Sequence, residues 1–323
     1  MNTKLFSIKS NADTRFCLLL GSGFLGNHFF NELQNRALQG SIELTLCGQT
    51  NLAWSDLENV ESGLTALLKQ THNGCLDIIW ALGKNGFSAN ELEMQQEYLL
   101  LRYILQSIVR VPHQWRSFHF MSSAGALYEG QVAVSSVHQY APINAYGVWK
   151  LKQEALLDEF NLTSRIYRIS SAYGVIEKGH RVGLIAALLH SVKYETVFTC
   201  TGDRNTLRDY IYCNDIASYV IQKMLYTHDN SVEILASGMA YSIRNIIDTV
   251  AELTQRKLNI VYQDAPGNFR DITFSEAVIP KGLPTTPLVK GIVDMAESIN
   301  LSTDKFGPLW NQVSLSENTM AHL

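Results

Sequence analysis

Three features of the sequence predict an α/β fold, a doubly wound parallel sheet with a smaller C-terminal α/β lid. Apolar runs that read as buried strands alternate with helix-length segments as far as Gly174. A Gly-x-Gly-x-x-Gly turn joins the first such run to the first helix. Beyond Gly174 the rhythm loosens into shorter elements that hold Pro266, Pro280, Pro284, Pro287 and Pro308, as suits a smaller domain over the strand ends.

After a short polar lead, residues 16–20 form a continuous apolar run of the kind a strand buried on both faces requires. It enters Gly21-Ser22-Gly23-Phe24-Leu25-Gly26, where glycine permits a tight turn and close approach of backbone to a pyrophosphate. The phosphates would rest on the N-terminus of a helix over 24–38. Gly21, Gly23, Phe24, Leu25 and Gly26 are therefore candidate dinucleotide contacts, with a plain glycine-rich turn as the alternative.

Residues 42–47 read as the second strand. At its end stand Cys47, Gly48, Gln49 and Thr50, with neither an acid for an unphosphorylated ribose nor an arginine for a 2′-phosphate. Gln49 is the candidate contact there, and the choice between NAD and NADP stays open. A helix over 55–70 leads to a third buried strand over 76–82, whose end brings Leu82 and Gly83 close to the cofactor. The long helix over 90–111 is apolar almost all round, so it needs cover on more than one side, from the sheet and a second subunit or from burial in a large monomer.

The chemistry is expected at residues 139–154, QYAPINAYGVWKLKQE. Pro142 and Asn144 read as a helix entry, with Asn144 the N-cap. Tyr146 falls in the first turn and Lys150 one turn further on the same face. A free phenol has a pKa of about 10, and a cation within a few ångströms favours the phenolate, so this pair can move a proton on a sugar or alcohol hydroxyl. Tyr219 and Lys223 repeat the spacing, but mid-helix among Val220, Ile221 and Met224, where a packing tyrosine is the simpler reading. Upstream of Tyr146, by contrast, an apolar strand over 117–121 ends in Ser122 and Ser123, and strand C-termini are where ligands meet an open α/β sheet.

A strand over 164–169 follows, ending in Ser170-Ser171-Ala172-Tyr173-Gly174. Residues 207–220 read as a strand, a turn capped by Asn214 or Asp215, and a helix returning to the main sheet. The expected division is residues 1–174 with 206–238 as the dinucleotide-binding domain, 175–205 with 239–301 as the second domain, and 302–323 as a peripheral tail.

Composition removes several classes of function. A chain of 323 residues with 46% hydrophobic content buries a sizeable core, and a net charge of −4 with scattered Lys and Arg gives no footprint for nucleic acid. Five cysteines without close pairing suggest reduced thiols, neither a disulfide framework nor a metal site. No segment has the apolar length of a membrane span or a signal peptide. A cytoplasmic protein is expected.

Taken together these residues resemble the extended short-chain dehydrogenase/reductase family, in its nucleotide-sugar epimerase, dehydratase and ketoreductase branch, from Phe16 to about Ile299. The matching marks are Ser122 and Ser123 before Tyr128, Tyr146-x-x-x-Lys150, Arg168 before Tyr173-Gly174, and Arg208-Asp209-Tyr210-Ile211 followed by Asp215. The resemblance implies a Rossmann-type domain with a substrate-binding lid. It implies Tyr146 as acid/base, Lys150 as the residue that lowers its pKa and holds the nicotinamide ribose, and Ser123 as a hydrogen-bond partner of the reacting sugar oxygen. Ser122, Ser171, Arg208 and Arg270 would contact the substrate, the two arginines clamping its diphosphate.

Departures narrow the reading. Leu20 stands where the family has its first glycine, and Ser171 where it often has an asparagine. Ala124 and Gly125 replace the acidic pair of sugar 4,6-dehydratases, and Ala124 cannot serve the chemistry of 3,5-epimerases; His180 is the one spare ionisable group nearby. The expected activity is a nucleoside-diphosphate-sugar 4-epimerase working through a transient 4-keto sugar on NAD or NADP. A 4-ketoreductase is the alternative, and a catalytically retired dinucleotide-binding protein is opposed by the intact Tyr146, Lys150 and Ser123. A homodimer through helices 90–111 and 144–160 is the expected assembly.

Overall fold

Residues 2–10, polar by composition, form the strand β1 (Asn2–Ser10). Leu5, Phe6 and Ile8 are buried, and the strand pairs antiparallel with β2 (Asp13–Leu20), from Thr3 opposite Leu20 to Ser10 opposite Asp13. The polar lead expected from the sequence is thus half of a hairpin, and it buries side chains on both of its faces, Thr3 and Leu5 on one and Phe6 and Ile8 on the other. The computed structural model describes residues 2–10, 13–53, 55–72, 74–83, 85–111, 114–175, 183–263, 270–304 and 308–309. His180 and nearly all of the expected tail lie outside the described residues.

The chain divides into two units. The first comprises Met1–Glu129, Val137–Ile169 and Ala217–Leu235. After β2 come α1 (Phe24–Leu38), β3 (Glu43–Asn51), α2 (Leu57–Leu68), β4 (Cys75–Trp80), α3 (Glu91–Val109), β5 (Gln114–Ser123), α4 (Ala124–Leu127), α5 (Ala145–Glu159) and β6 (Ser164–Ile169). The unit also holds α7 (Cys213–Tyr226) from Ala217 onward, and β10 (Ser231–Leu235). Its seven-stranded sheet has the order β10-β6-β5-β4-β2-β1-β3. Apart from β1, which is antiparallel to both neighbours, the strands run parallel.

Counting only the six parallel strands, the order is 2-1-3-4-5-6, the 2-1-3-4-5 arrangement of doubly wound folds extended by β10, with β1 inserted between the first two. The chain leaves β2 for β3 on one side and returns to β4 on the other, so the switch point lies between the C-terminal ends of β2 and β4. Leu18 and Leu20 of β2, Val60 and Leu64 of α2, Ile78 and Trp80 of β4, and Ile104 of α3 share one buried core. Each such side chain stabilises the unit by about 1.5–3 kcal/mol relative to exposure.

The second unit comprises Gly130–Ser136, Ser170–Ile216 and Ala236–Leu323. It contains β7 (Ser171–Tyr173), α6 (Leu184–Tyr194), β8 (Phe198–Thr201), β9 (Leu207–Tyr212), β11 (Ala240–Ser242), α8 (Ile243–Thr254), β12 (Ile260–Gln263) and α9 (Leu288–Ser298). The strands form a three-stranded sheet, β11-β9-β7, and a two-stranded one, β12-β8. Leu188, Leu189, Ile246, Val250 and Ile292 lie at the centre of its core.

The second unit takes in residues 130–136, 170–174, 206–216 and 236–238, which the sequence expectation assigned to the first. β9 pairs with β7 and β11 and not with the main sheet, so residues 206–216 belong to the second unit. Asp209 fixes β9 there: it is buried and accepts from the backbone N–H groups of Ser237 and Gly238 and from Ser170 Oγ. Residues 130–136 join the same unit through a bridge between Val134 and Phe274. Such pairings connect residues far apart in the chain and leave no periodic signal in either partner.

Candidate active site

The glycine turn needs its glycines. Gly21 has φ +102°, and a Cβ there would come 2.8 Å from Ala81 O and 2.9 Å from Leu82 Cδ2. A Cβ on Gly26 would fall on the carbonyl of Gly21, far inside van der Waals contact. Gly23 caps α1 without a side-chain hydrogen bond, and the space beside it is open. The first intrahelical bond runs from Asn27 N to Gly23 O, so the N–H groups of Phe24, Leu25 and Gly26 have no partner within the helix. A backbone cradle of this shape fits a dinucleotide pyrophosphate.

Gln49 lies within β3, not beyond its end, because the strand continues to Asn51; its partner across the ladder is Lys4 of β1. Leu82 is buried against Gly21, and Gly83 is exposed. A cavity of about 560 Å³ is lined by Leu57, Asn85, Gln96, Glu97 and Leu100, within the size range of small-molecule sites.

The catalytic candidates come together in this first unit. Ser123 ends β5 and caps α4, with Ala126 N donating to its Oγ at 3.3 Å. Asn144 caps α5 as its residue type predicts: its Oδ1 accepts from Gly147 N at 2.8 Å, and its Nδ2 donates to Glu129 Oε2 at 2.9 Å. The first turn of α5 sits directly on α4, since a Cβ at Gly147 would approach Ala126 O to 2.5 Å. That packing sets Tyr146, half-buried, beside the Ser123 turn. Phe87 lies against both, with its ring centroid 6.3 Å from that of Tyr146 and its edge 3.5 Å from where a Gly125 Cβ would stand.

Lys150 is buried, its Nζ 5.7 Å from the centre of the Tyr146 ring and 5.4 Å from that of Phe120. It donates to Glu97 Oε1 at 3.0 Å and to Gln153 Oε1 at 3.0 Å. Burial works against the ammonium most strongly, but the Glu97 carboxylate, together with Tyr146 and Glu154, more than offsets it and holds Lys150 above its ordinary range. Sequence reasoning missed Glu97, which reads as one more acid on an apolar helix; only its helical phase with Met94, Leu101 and Ile104 signals the buried side.

Ser122, expected at the substrate, points the other way. Its Oγ donates to Glu154 Oε1, and Glu154 in turn receives Nε and Nη2 of Arg168 at 3.1 and 2.7 Å. Arg168 also donates to Tyr128 Oη and Val137 O. Tyr219 is a buried helix residue whose hydroxyl donates to Glu233, as the packing reading holds.

In the second unit, Arg208 and Arg270 are neighbours: Arg208 Nη1 donates to Leu207 O at 3.0 Å and to the backbone carbonyl of Arg270. Gly130, at φ +81°, leaves room for the Arg270 side chain, whose Cδ lies 3.4 Å from the position of an added Cβ. Ser171 begins β7 opposite Tyr210. Among the described residues no cluster of His, Cys, Asp and Glu could hold a metal ion, and no helix is long and apolar enough to cross a membrane.

The profile of the NAD dependent epimerase/dehydratase family matches residues 17–234. A dTDP-4-dehydro-6-deoxyglucose reductase of Escherichia coli is 27% identical over 194 residues, 56% of this chain and 60% of that protein. The match therefore spans less than two thirds of that relative's length. In fold, the chain is similar to the UDP-glucose 4-epimerase of Thermus thermophilus in complex with NAD, with TM-score 0.67 and 17% identity over 87% of this chain and 97% of that one. It is similar to RMD from Pseudomonas aeruginosa complexed with NADPH, with TM-score 0.66 and 19% identity over 87% and 96% of the two chains.

Proposed function

The chain belongs to the NAD dependent epimerase/dehydratase family, and from that premise we propose that it reduces the C4 carbonyl of a nucleoside-diphosphate 4-keto sugar. The observation that carries this reading is that, among the described residues of the first unit, Tyr146 beside Ser123 and Lys150 is the acid/base candidate of the site. Ala124 and Gly125 stand where further acid/base residues would follow Ser123. Such a site exchanges one proton at one centre, which suits reduction and not elimination. The reductive direction is supported by the sequence relative, whose name is that of a 4-dehydro-sugar reductase.

A bound nicotinamide, NAD or NADP, supplies the hydride. The turn Gly21–Gly26, with Leu82 and Gly83, would hold the dinucleotide. Ser123 Oγ would orient the carbonyl oxygen, Tyr146 would donate its proton, and Lys150 would hold the nicotinamide ribose. Arg208 and Arg270 would take the diphosphate through bidentate guanidinium pairing, with Ser171 as a further contact. Homodimerisation would cover Leu92 and Leu99 of α3 and Val148 of α5, all exposed. A cytoplasmic location fits the five unpaired thiols.

A 4-epimerase is the second reading. It is favoured by the likeness of fold to a UDP-glucose 4-epimerase along 97% of that chain. The test is to denature the purified protein, identify any dinucleotide released, and then follow absorbance at 340 nm with dTDP-4-dehydro-6-deoxyglucose and added NADH or NADPH. Stoichiometric consumption of the reduced cofactor is expected. Tightly held NAD, with interconversion of C4 epimers and no net consumption, would replace the reductase by the epimerase.

A further inference from the structure

Glu97 lies on the inner flank of α3, 1% exposed, and pairs with a lysine that is 3% exposed. Its Oε1 is 3.0 Å from Lys150 Nζ and accepts from Gln153 Nε2 at 3.3 Å, while Oε2 accepts from Asn85 Nδ2 at 3.1 Å. Gln153 is fully buried. The carboxylate is thus fixed from three sides, by α5 twice and by the loop after β4 once. Burying two charges is costly, and an amide at this position could hold the ammonium through the same hydrogen bond. The property peculiar to a carboxylate is its charge.

An isolated ammonium beside a phenol acts as a monopole and favours the phenolate. With Glu97 at 3.0 Å the ammonium becomes one end of a dipole, whose field at Tyr146 is much weaker. Among the described residues the other groups around Lys150 do not restore it. Glu154 on α5 is also an acid and is engaged by Arg168, β5 presents the neutral ring of Phe120, and the loop after β4 presents the neutral Asn85.

We propose that Glu97 is a positioning residue that holds Lys150 and, by cancelling its charge, keeps Tyr146 in the protonated form that a carbonyl reduction uses. This rests on the reductase reading and explains its direction. In that step hydride passes from the reduced nicotinamide to C4 and the Tyr146 proton passes to the carbonyl oxygen. The sugar is reduced, the dinucleotide is oxidised, and the phenolate regains a proton from water. The oxidative half of an epimerase cycle needs the opposite starting state, an ionised Tyr146.

The test is optical and needs no substrate. The absorbance at 295 nm is followed from pH 6 to pH 11 for the parent, Glu97→Gln and Glu97→Asp, each corrected by the same protein carrying Tyr146→Phe. Glu97→Gln should ionise Tyr146 about one pH unit below the parent, the size expected for unmasking a neighbouring cation. Glu97→Asp, which keeps the charge, should follow the parent. The pair Glu97→Gln with Lys150→Met should lose the downward shift, and it also serves if the single amide variant does not fold. A Tyr146 titration that is the same in Glu97→Gln as in the parent, at equal thermal stability, would overturn the proposal. Failure to reduce any 4-keto sugar would sink the reductase reading and leave this titration unaffected.

Discussion

Ser122 Oγ donates to Glu154 Oε1 at 2.5 Å, so the two serines that the sequence presents as a pair have opposite duties. Consecutive residues of a strand face opposite sides. Ser122 ties β5 to the middle of α5, and Ser123 is left to cap α4 beside Tyr146. Glu154 is also the partner of the buried Arg168. Glu154→Ala would strand that guanidinium and should destabilise the first unit by about 3–5 kcal/mol. Ser122→Ala, which leaves the ion pair intact, should cost only about 1–2 kcal/mol. Urea unfolding monitored by Trp fluorescence measures both.

Tyr146→Phe removes the acid but keeps the ring against Phe87. Turnover should fall by about 10²–10⁴-fold. Dinucleotide affinity, read by isothermal calorimetry, should stay within a factor of about three. Equal loss of both would assign the tyrosine to structure.

Gly26→Ala would drive a methyl group into the carbonyl of Gly21 and open the turn that precedes α1. Binding of ADP, which carries a pyrophosphate without the nicotinamide, should weaken by at least about tenfold, while Gly23→Ala, beside open space, should be milder. Competitive displacement of a fluorescent nucleotide compares the two.

A second polar group lies far from this chemistry, on β4, β5 and β6. Ser117 Oγ donates to Asp77 at 2.5 Å and meets His119 Nε2 at 2.8 Å, and His119 Nδ1 meets Tyr167 Oη at 3.0 Å. The neutral His119 tautomer with its proton on Nε2 lets Ser117, His119 and Tyr167 donate and accept in sequence, while Asp77 Oδ2 is buried without a hydrogen-bond partner. Burial pushes Asp77 up to about 6, against the Ser117 hydrogen bond and the charge of Arg15. Burial pushes His119 down to about 3, with Arg165 adding to the effect.

Between pH 3.8 and about 6 folded Asp77 holds a proton that the unfolded chain has lost, so its contribution to stability falls as pH rises. Between about 3 and 6.5 folded His119 lacks a proton that the unfolded chain holds, so its contribution grows. The two slopes oppose each other from about pH 4 to 6. Relative to the parent, Asp77→Asn should therefore gain stability with rising pH across that window, and His119→Asn should lose it, each by up to about 1.4 kcal/mol per pH unit. Urea midpoints at three pH values would reveal both slopes.

Much of this was legible in the sequence because it is local. α1 and β6 fall where their apolar runs and turn residues put them, and the caps of α3 and α5 are Asn90 and Asn144. Tyr146 and Lys150 could be paired because one helical turn separates them. What escaped was non-local. β1 has buried residues on both faces, Thr3 and Leu5 on one and Phe6 and Ile8 on the other across an irregular register, so its alternation is blurred in sequence. Glu97 acquires its meaning only when α5 delivers Lys150 to it from 53 residues away.

The inserted strand changes distances at the ligand-facing edge of the sheet. Neighbouring strands lie about 4.8 Å apart, so with β1 between them the ends of β2 and β3 are separated by about twice that spacing. A side chain at Gln49 is no longer next door to the glycine turn. The backbone there instead belongs to the start of β1, where Asn2 O accepts from Gly21 N at 3.1 Å and Lys4 stands between Leu19 and Gln49. The lack of a carboxylate at Gln49 thus has a steric meaning. An acid there would sit one strand too far out to serve as the turn's neighbour, and the strand that does adjoin the turn carries Asn2 and Lys4, half-buried, on either side of the fully buried Thr3.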